Sequence, residues 1–363
     1  MKKKVLNEKK GWWAPFTDPK SDVINVSRLF MEKRATLGKE THKLENIIKK
    51  KLNVKHAILA NSGTSALYMA TLAAQIHKKR NVYSPAINWP GSINGALYAG
   101  KKLHLIDSKK NYINGNYEKI IPKLKKDDLV YLTHLNGKCA YGPEFLKLWK
   151  NKKFFVIEDA AQSFMVKDLN SQFVGTQFNI GCFSLGITKI CNMVYGGFCV
   201  TNNPKLAKQL IKIRNNGVDN IYQKPTGIGG NFKPSDLHAI VGINSVNSFQ
   251  KIKKRLFQIY NLYKEKLTNK KFIMFDYDIK KGEIPNYIEI LSNDRKKLVR
   301  YLQKSKISFS YGTRLLNLSR SYSVFTNINN AKKFDQKILR LPCGPGYSLA
   351  KINKIINILN NFS

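Results

Sequence analysis

Short apolar runs alternate with helix-forming stretches from residue 44 to residue 201, and that alternation limits the chain to a layered α/β fold. Runs at 56–60, 82–84, 103–106, 129–133 and 154–157 read as strands, and Phe154-Phe-Val-Ile157 has no polar position at all. A strand that is apolar on both faces is covered on both faces, as in a parallel sheet flanked by helices. Between the strands, Leu44, Ile47, Ile48 and Leu52 fall at helical spacing and 66–76 is an Ala- and Leu-rich helix. The stretch 93–99 reads as a helix stopped by Gly100, and Gly142-Pro143 opens another. Two shorter strands are expected around 182–185 and 197–201. A helix then starts at the cap and first-turn pair Asn203-Pro204, with Leu206, Leu210 and Ile213 on one face and Gly217 to end it.

Beyond about Phe249 the chain turns Lys-rich and mixed, with a strand expected at 287–291 and a last helix at 352–359. A chain of 363 residues is long for one layered core. The division expected is an N-terminal segment at 1–24, a large domain at 25–248 and a smaller α+β C-terminal domain at 249–363.

The formal charge is +40, from 63 Lys and Arg against 23 Asp and Glu, which raises the question of nucleic acid. Lysine runs through almost every segment alongside Asn and Ile, without gathering into a stripe or tail, so no nucleic-acid partner is expected. A basic field of this kind still attracts an anionic substrate. The basic opening has no apolar stretch behind it, and no segment approaches the roughly 18 uninterrupted apolar residues of a membrane span. Cys139, Cys182, Cys191, Cys199 and Cys343 form no C-x-x-C pair, and the six histidines are scattered. A soluble cytoplasmic protein without a metal site is the expectation.

Four segments fall where a parallel sheet exposes ligand-binding loops, at the carboxyl ends of strands. Asn61-Ser-Gly-Thr-Ser65 places small residues at a helix N-terminus, which is a phosphate cradle or equally an ordinary capped turn. Glu158-Asp159-Ala-Ala-Gln162 follows the most apolar strand, and a carboxylate there either pairs with a protonated pyridine nitrogen or caps a following helix. Lys189 lies among Phe183, Leu185, Ile187 and Ile190, with Gly196-Gly197 beyond, in a chain whose other lysines read as solvated. Near an anchored pyridinium its neutral amine would form an imine with an aldehyde. Gly229-Gly-Asn-Phe-Lys-Pro-Ser-Asp236 is a polar loop before a helical stretch at 237–243.

In this order the segments resemble the DegT/DnrJ/EryC1/StrS family of nucleotide-sugar aminotransferases. Its S-G-T-x-A-L stands as Ser62-Gly-Thr-Ser-Ala-Leu67, its E-D-x-A-Q as Glu158 to Gln162, and its S-F-x-x-x-K region with Ser184 five residues before Lys189. Its G-x-N-x-[RK] loop stands as Gly229-Gly-Asn-Phe-Lys233, and Pro85-Ala-Ile-Asn-Trp89 is similar to its P-x-x-T-[WF] loop. The match spans roughly residues 25–245 well and the remainder loosely. The resemblance implies the fold type I architecture of pyridoxal-phosphate (PLP) enzymes, with a mostly parallel seven-stranded-type sheet. It implies that Lys189 carries the internal aldimine and shuttles the proton, that Asp159 holds the pyridine nitrogen, and that Gln162 bonds the ring hydroxyl. Trp89 would cover the ring, and Gly63, Thr64 and Ser184 would bind the phosphate. Asn231 would reach in from a second subunit, which implies a homodimer, and Lys233 would meet the donor's carboxylate. Glutamate and a nucleotide-linked keto sugar are the implied substrates, in cell-surface polysaccharide or amino-sugar biosynthesis.

Departures from the family pattern bear on substrate geometry. The usual G-E-G-G after the lysine is Val194-Tyr195-Gly196-Gly197, Asn88 and Ser92 stand where threonines are common, and Phe164-Met165 replaces a small residue. Lys189 argues against the related 3-dehydratases, which carry His at that position. An epimerase or cyclitol aminotransferase would share every cofactor residue, and a non-catalytic scaffold is the remaining alternative.

Overall fold

The computed structural model describes residues 11–31, 37–110, 112–219, 224–324 and 326–363. Helices α1 (Pro19–Met31) and α2 (Lys39–Leu52) come first. Then follow β1 (His56–Ala60), α3 (Gly63–Ala73), β2 (Val82–Pro85), α4 (Pro90–Tyr98), β3 (Leu103–Ile106) and β4 (Leu129–Thr133). The alternation continues with α5 (Pro143–Lys152), β5 (Phe155–Asp159), β6 (Ile180–Ser184), β7 (Gly197–Thr201) and α6 (Pro204–Arg214). A short antiparallel pair, β8 (Val218–Asp219) and β9 (Lys224–Pro225), precedes α7 (Asp236–Asn247) and α8 (Phe249–Lys266). The remainder is β10 (Phe272–Met274), β11 (Ile288–Ser292), α9 (Arg295–Lys304), β12 (Ser323–Val324), α10 (Asn329–Lys337), β13 (Ile338–Leu341) and α11 (Leu349–Asn360).

The large sheet runs in the order β1-β7-β6-β5-β4-β2-β3-β12. Strand β7 is antiparallel to both neighbours and the other pairs are parallel. Seven strands come from residues 56–201, as the apolar runs imply, and the two-residue β12 adds an eighth at the edge from far along the chain. Neighbouring residues of one strand enter different cores: Val130 and Leu132 pack with Phe145 and Phe154, whereas Leu129 and Tyr131 pack with Met69 and Ala70 of α3. This is the period of two with both faces covered, the reason the strands lack polar positions. A third cluster carries Phe183 and Phe198 of the sheet together with Leu256, Ile290, Leu339 and Ile356, so the sheet β10-β11-β13 shares a core with the large one.

Helix caps follow from local chemistry. Asn203 accepts from the Lys205 and Leu206 amides with Pro204 next to it, and α6 ends at Arg214, three residues before Gly217 takes φ +75°. Ser235 caps α7, and the buried Asp236 accepts from Gly38 N and Thr41 N at 3.0 Å each, fastening the start of α2 to α7. A helix start is therefore what the end of the 229–236 loop supplies.

Gly137 joins the two sheets. Its φ is +71°, a Cβ there would lie 1.7 Å from the Ile284 carbonyl oxygen, and Ile284 N donates to Gly137 O at 3.0 Å. Only glycine meets both conditions. Gly137→Ala is expected to cost about 2–4 kcal/mol of stability in urea denaturation at unchanged m. A loss below about 1 kcal/mol would contradict this reading of the junction.

Candidate active site

The ends of β1, β2, β4, β5 and β6, with segments of the smaller sheet opposite, enclose a cavity of about 420 Å³. Helix α3 supplies its amino end. Ser62 takes the cap position and accepts from Ser65 N at 3.0 Å, which leaves the Gly63 and Thr64 amides ahead of the helix ladder. A Cβ at Gly63 would stand 2.7 Å from Ser184 Cβ, and one at Gly197 would stand 2.5 Å from Gly63 N. The two glycines thus let the helix start close against β6 and β7, with the Ser184 hydroxyl beside it. Backbone N–H groups, a helix N-terminus and a hydroxyl together form an anion cradle.

Asp159 ends β5 and is buried. Ser92 Oγ donates to its Oδ2 at 2.5 Å and Ala161 N to its Oδ1 at 3.1 Å. No helix follows it before β6, so the helix-cap alternative does not apply. Burial pushes its carboxyl above the ordinary carboxylate value, partly offset by those hydrogen bonds and by the charge of Lys189. Its neighbour Glu158 points away and is structural. It accepts from the Gly175, Gln177 and Phe178 amides at 2.8, 3.0 and 3.2 Å and meets His134 Nε2 at 3.2 Å. His134 Nδ1 accepts from Ala140 N, so Nε2 carries the proton directed at Glu158.

Lys189 Nζ lies 3.5 Å from the Tyr287 hydroxyl, which itself donates to Thr188 O at 3.1 Å. The Tyr287 ring packs edge-on against Trp12 and Trp13, with centroids 5.5 and 5.4 Å away, and the Arg340 guanidinium lies 3.9 Å over its face. Asn136, held at φ +49°, accepts from Tyr287 N at 2.7 Å, while its own N–H donates to Gln162 Oε1 at 3.0 Å. Gln162 Nε2 donates to Thr313 Oγ1 at 3.0 Å. The lysine's partner and the glutamine's partner Thr313 thus come from the smaller sheet and its loops.

Gly63, Thr64, Trp89, Asp159, Gln162, Ser184 and Lys189 all line this cavity. Trp89 is 61% exposed, a free aromatic face at the start of α4. Asn231 and Lys233 do not line it; both are exposed, and their loop is tied to Asn61, whose amide donates to Phe232 O at 2.9 Å. Tyr195 stands on the cavity wall, 69% exposed, after Val194 at φ +66°, an uncommon conformation for a β-branched residue. Sequence reasoning missed Trp12, His134, Thr313 and Arg340, and took Tyr287 only as the start of a strand. A lone arginine inside the apolar run Ile338–Leu341 was the available signal.

The arrangement suits a phosphorylated pyridine aldehyde. Asp159 is a buried anion whose hydrogen-bond donors are one hydroxyl and one amide, so a ring cation would complete its surroundings. The anion cradle and a half-buried lysine face the same space.

Residues 18–360 match the DegT/DnrJ/EryC1/StrS aminotransferase family, and the chain belongs to it. A GDP-perosamine synthase from Escherichia coli O157:H7 is 27% identical over 235 residues, which is 64% of this chain and 64% of that protein, just under two thirds of its length. A UDP-4-amino-4,6-dideoxy-N-acetyl-beta-L-altrosamine transaminase from Campylobacter jejuni (serotype O:23/36) is 26% identical over 78% of this chain and 72% of its own. Among solved structures, a DegT DnrJ EryC1 StrS aminotransferase from Brucella abortus superposes with a TM-score of 0.86 at 22% identity, covering 95% of both chains. The fold is that of the fold type I enzymes.

The Asp159 shift sets a pH dependence. A carboxyl raised by burial favours the folded state below its ordinary value and withdraws that contribution as the pH rises through the raised one. Cofactor-free Asp159→Asn is therefore expected to melt above the cofactor-free wild type near neutral pH. The gap should close as the pH falls toward the ordinary carboxylate range, and a gap independent of pH would contradict the assignment.

Proposed function

We propose that the protein is a PLP-dependent aminotransferase that moves an amino group from glutamate to a keto group of a nucleotide-linked sugar. One observation carries the reading: a single cavity gathers a lysine amine, a buried carboxylate and a helix-start anion cradle. When bound, PLP supplies an aldehyde that an amine can join and a ring that withdraws electrons from the reacting carbon.

The chain's own residues account for the rest. Lys189 would hold the aldehyde, and once free its Nζ would carry a proton between the substrate's reacting carbon and the aldehyde's carbon, positioned by the Tyr287 hydroxyl. Asp159, oriented by Ser92, keeps the ring nitrogen protonated. Gln162 serves the ring hydroxyl, Trp89 covers the ring, and Gly63, Thr64 and Ser184 take the phosphate. Asn231 and Lys233, exposed and outside this chain's own cavity, serve the site of a second copy, Asn231 at the phosphate and Lys233 at a substrate carboxylate. Exposed Val23, Ile24, Phe30 and Met31 on α1 suit a homodimer interface. The transaminase and synthase names of the relatives support a nucleotide-sugar substrate and a place in surface polysaccharide or amino-sugar synthesis. Among the described residues no helix is long and apolar enough to cross a membrane, in keeping with a cytoplasmic site of action.

Purified protein supplied with PLP is expected to show a visible absorption band that is lost in Lys189→Ala and bleached by glutamate in the wild type. A band that glutamate leaves unchanged would overturn glutamate as donor. A band equally present in Lys189→Ala would overturn the role of Lys189.

A further inference from the structure

We propose that Arg340 binds the α-carboxylate of the amino donor, an assignment that rests on the aminotransferase reading. Among the described residues, Lys189 and Arg340 are the two lysine or arginine side chains lining the cavity. Arg340 is 7% exposed and stands on β13 directly across from Glu289 on β11. Its guanidinium is fixed on three sides: Nε donates to Glu289 Oε1 at 2.7 Å, Nη2 donates to Thr313 Oγ1 at 3.0 Å, and its plane lies 3.9 Å over the Tyr287 ring. Nη1 has no hydrogen-bond partner among the described residues. The fork is held rigid on the cavity wall with Nη1 left over, the form in which an arginine recognises a carboxylate rather than a diffuse anion.

Glu289 meets Arg340 through one oxygen only, because its second oxygen accepts from Asn136 Nδ2 at 2.7 Å, so the pair is not the two-pronged one that would occupy the whole guanidinium edge. A pair serving structure alone has no need to lie on the cavity wall. Position selects the α-carboxylate. The Tyr287 ring spans the gap between Arg340 on its face and Lys189 Nζ at its hydroxyl. The donor's amine must reach the place of that Nζ, and the α-carboxylate sits on the same carbon as the amine, whereas the side-chain carboxylate extends farther. The inference separates α-amino acids as donors from amines without a carboxylate.

Binding of 2-methylglutamate, which lacks the transferable hydrogen, tests this by calorimetry on the PLP-loaded protein, beside its α-amide. In the wild type the α-amide is expected to bind roughly 30-fold more weakly than the acid. Arg340→Lys, which keeps the charge for Glu289 but loses the fork, is expected to erase most of that difference, with its visible band and thermal midpoint recorded as controls on folding. Equal binding of acid and amide by the wild type would overturn the assignment, even if the variant does not hold cofactor. So would an Arg340→Lys protein that keeps the full preference. Glutamate turnover by the wild type is measured alongside: its absence would count against the aminotransferase reading, whereas turnover without the acid preference would count against Arg340 alone.

Discussion

A carboxylate buried at the end of a parallel strand is the constraint around which this molecule is arranged. Asp159 sits where β5 leaves the sheet, and burial alone would push it toward the neutral acid. Ser92 from the start of α4 and the Ala161 amide hold it in place, and Lys189 moderates the cost with positive charge. That leaves the carboxylate oriented and short of a cation. Such a group is unfavourable in a purely structural core and useful where a cationic ring docks. The close approach of α3 to β6 and β7, permitted by Gly63 and Gly197, sets an anion cradle facing the same cavity.

The smaller sheet completes the site. Asn136 and Gln162 lie on loops of the large sheet and bond each other, and across the gap they reach Tyr287, Glu289 and Thr313. Arg340 closes the chain of contacts by bonding both Glu289 and Thr313. Displacing one layer would therefore disturb the lysine's hydroxyl partner and the glutamine's amide together. Glu158 works in a different direction. It gathers three backbone amides and His134, and so fixes the 175–178 loop behind the site. Two adjacent carboxylates in one motif thus have separate tasks, assigned by the alternation of side chains along β5.

Much of the large sheet was legible because its strands are apolar on both faces, a pattern that little except a helix-covered parallel sheet produces. The Ser62-Gly-Thr64 turn, Asp159, Gln162 and Lys189, which line one cavity, stood out because each lies soon after a recognisable strand. The Asn203-Pro204 helix start was legible for a local reason, since cap chemistry acts over three residues. Arg340, Tyr287 and Thr313 escaped notice because their meaning depends on contacts with residues far away in sequence. The edge strand β12 was equally hidden, being two residues long and paired with β3 from some 220 positions earlier. Trp12 falls in a segment with no periodic pattern, and only its packing against Tyr287 places it at the cavity.

The claim on which everything else rests is that Lys189, in a chain crowded with lysines, is the one that joins the cofactor. Borohydride reduction of the PLP-loaded protein, followed by proteolysis and mass spectrometry, tests it most directly. The account predicts one reduced pyridoxyl adduct, on the peptide containing Lys189. An adduct at a different lysine, or spread over several surface lysines with none at Lys189, would contradict it.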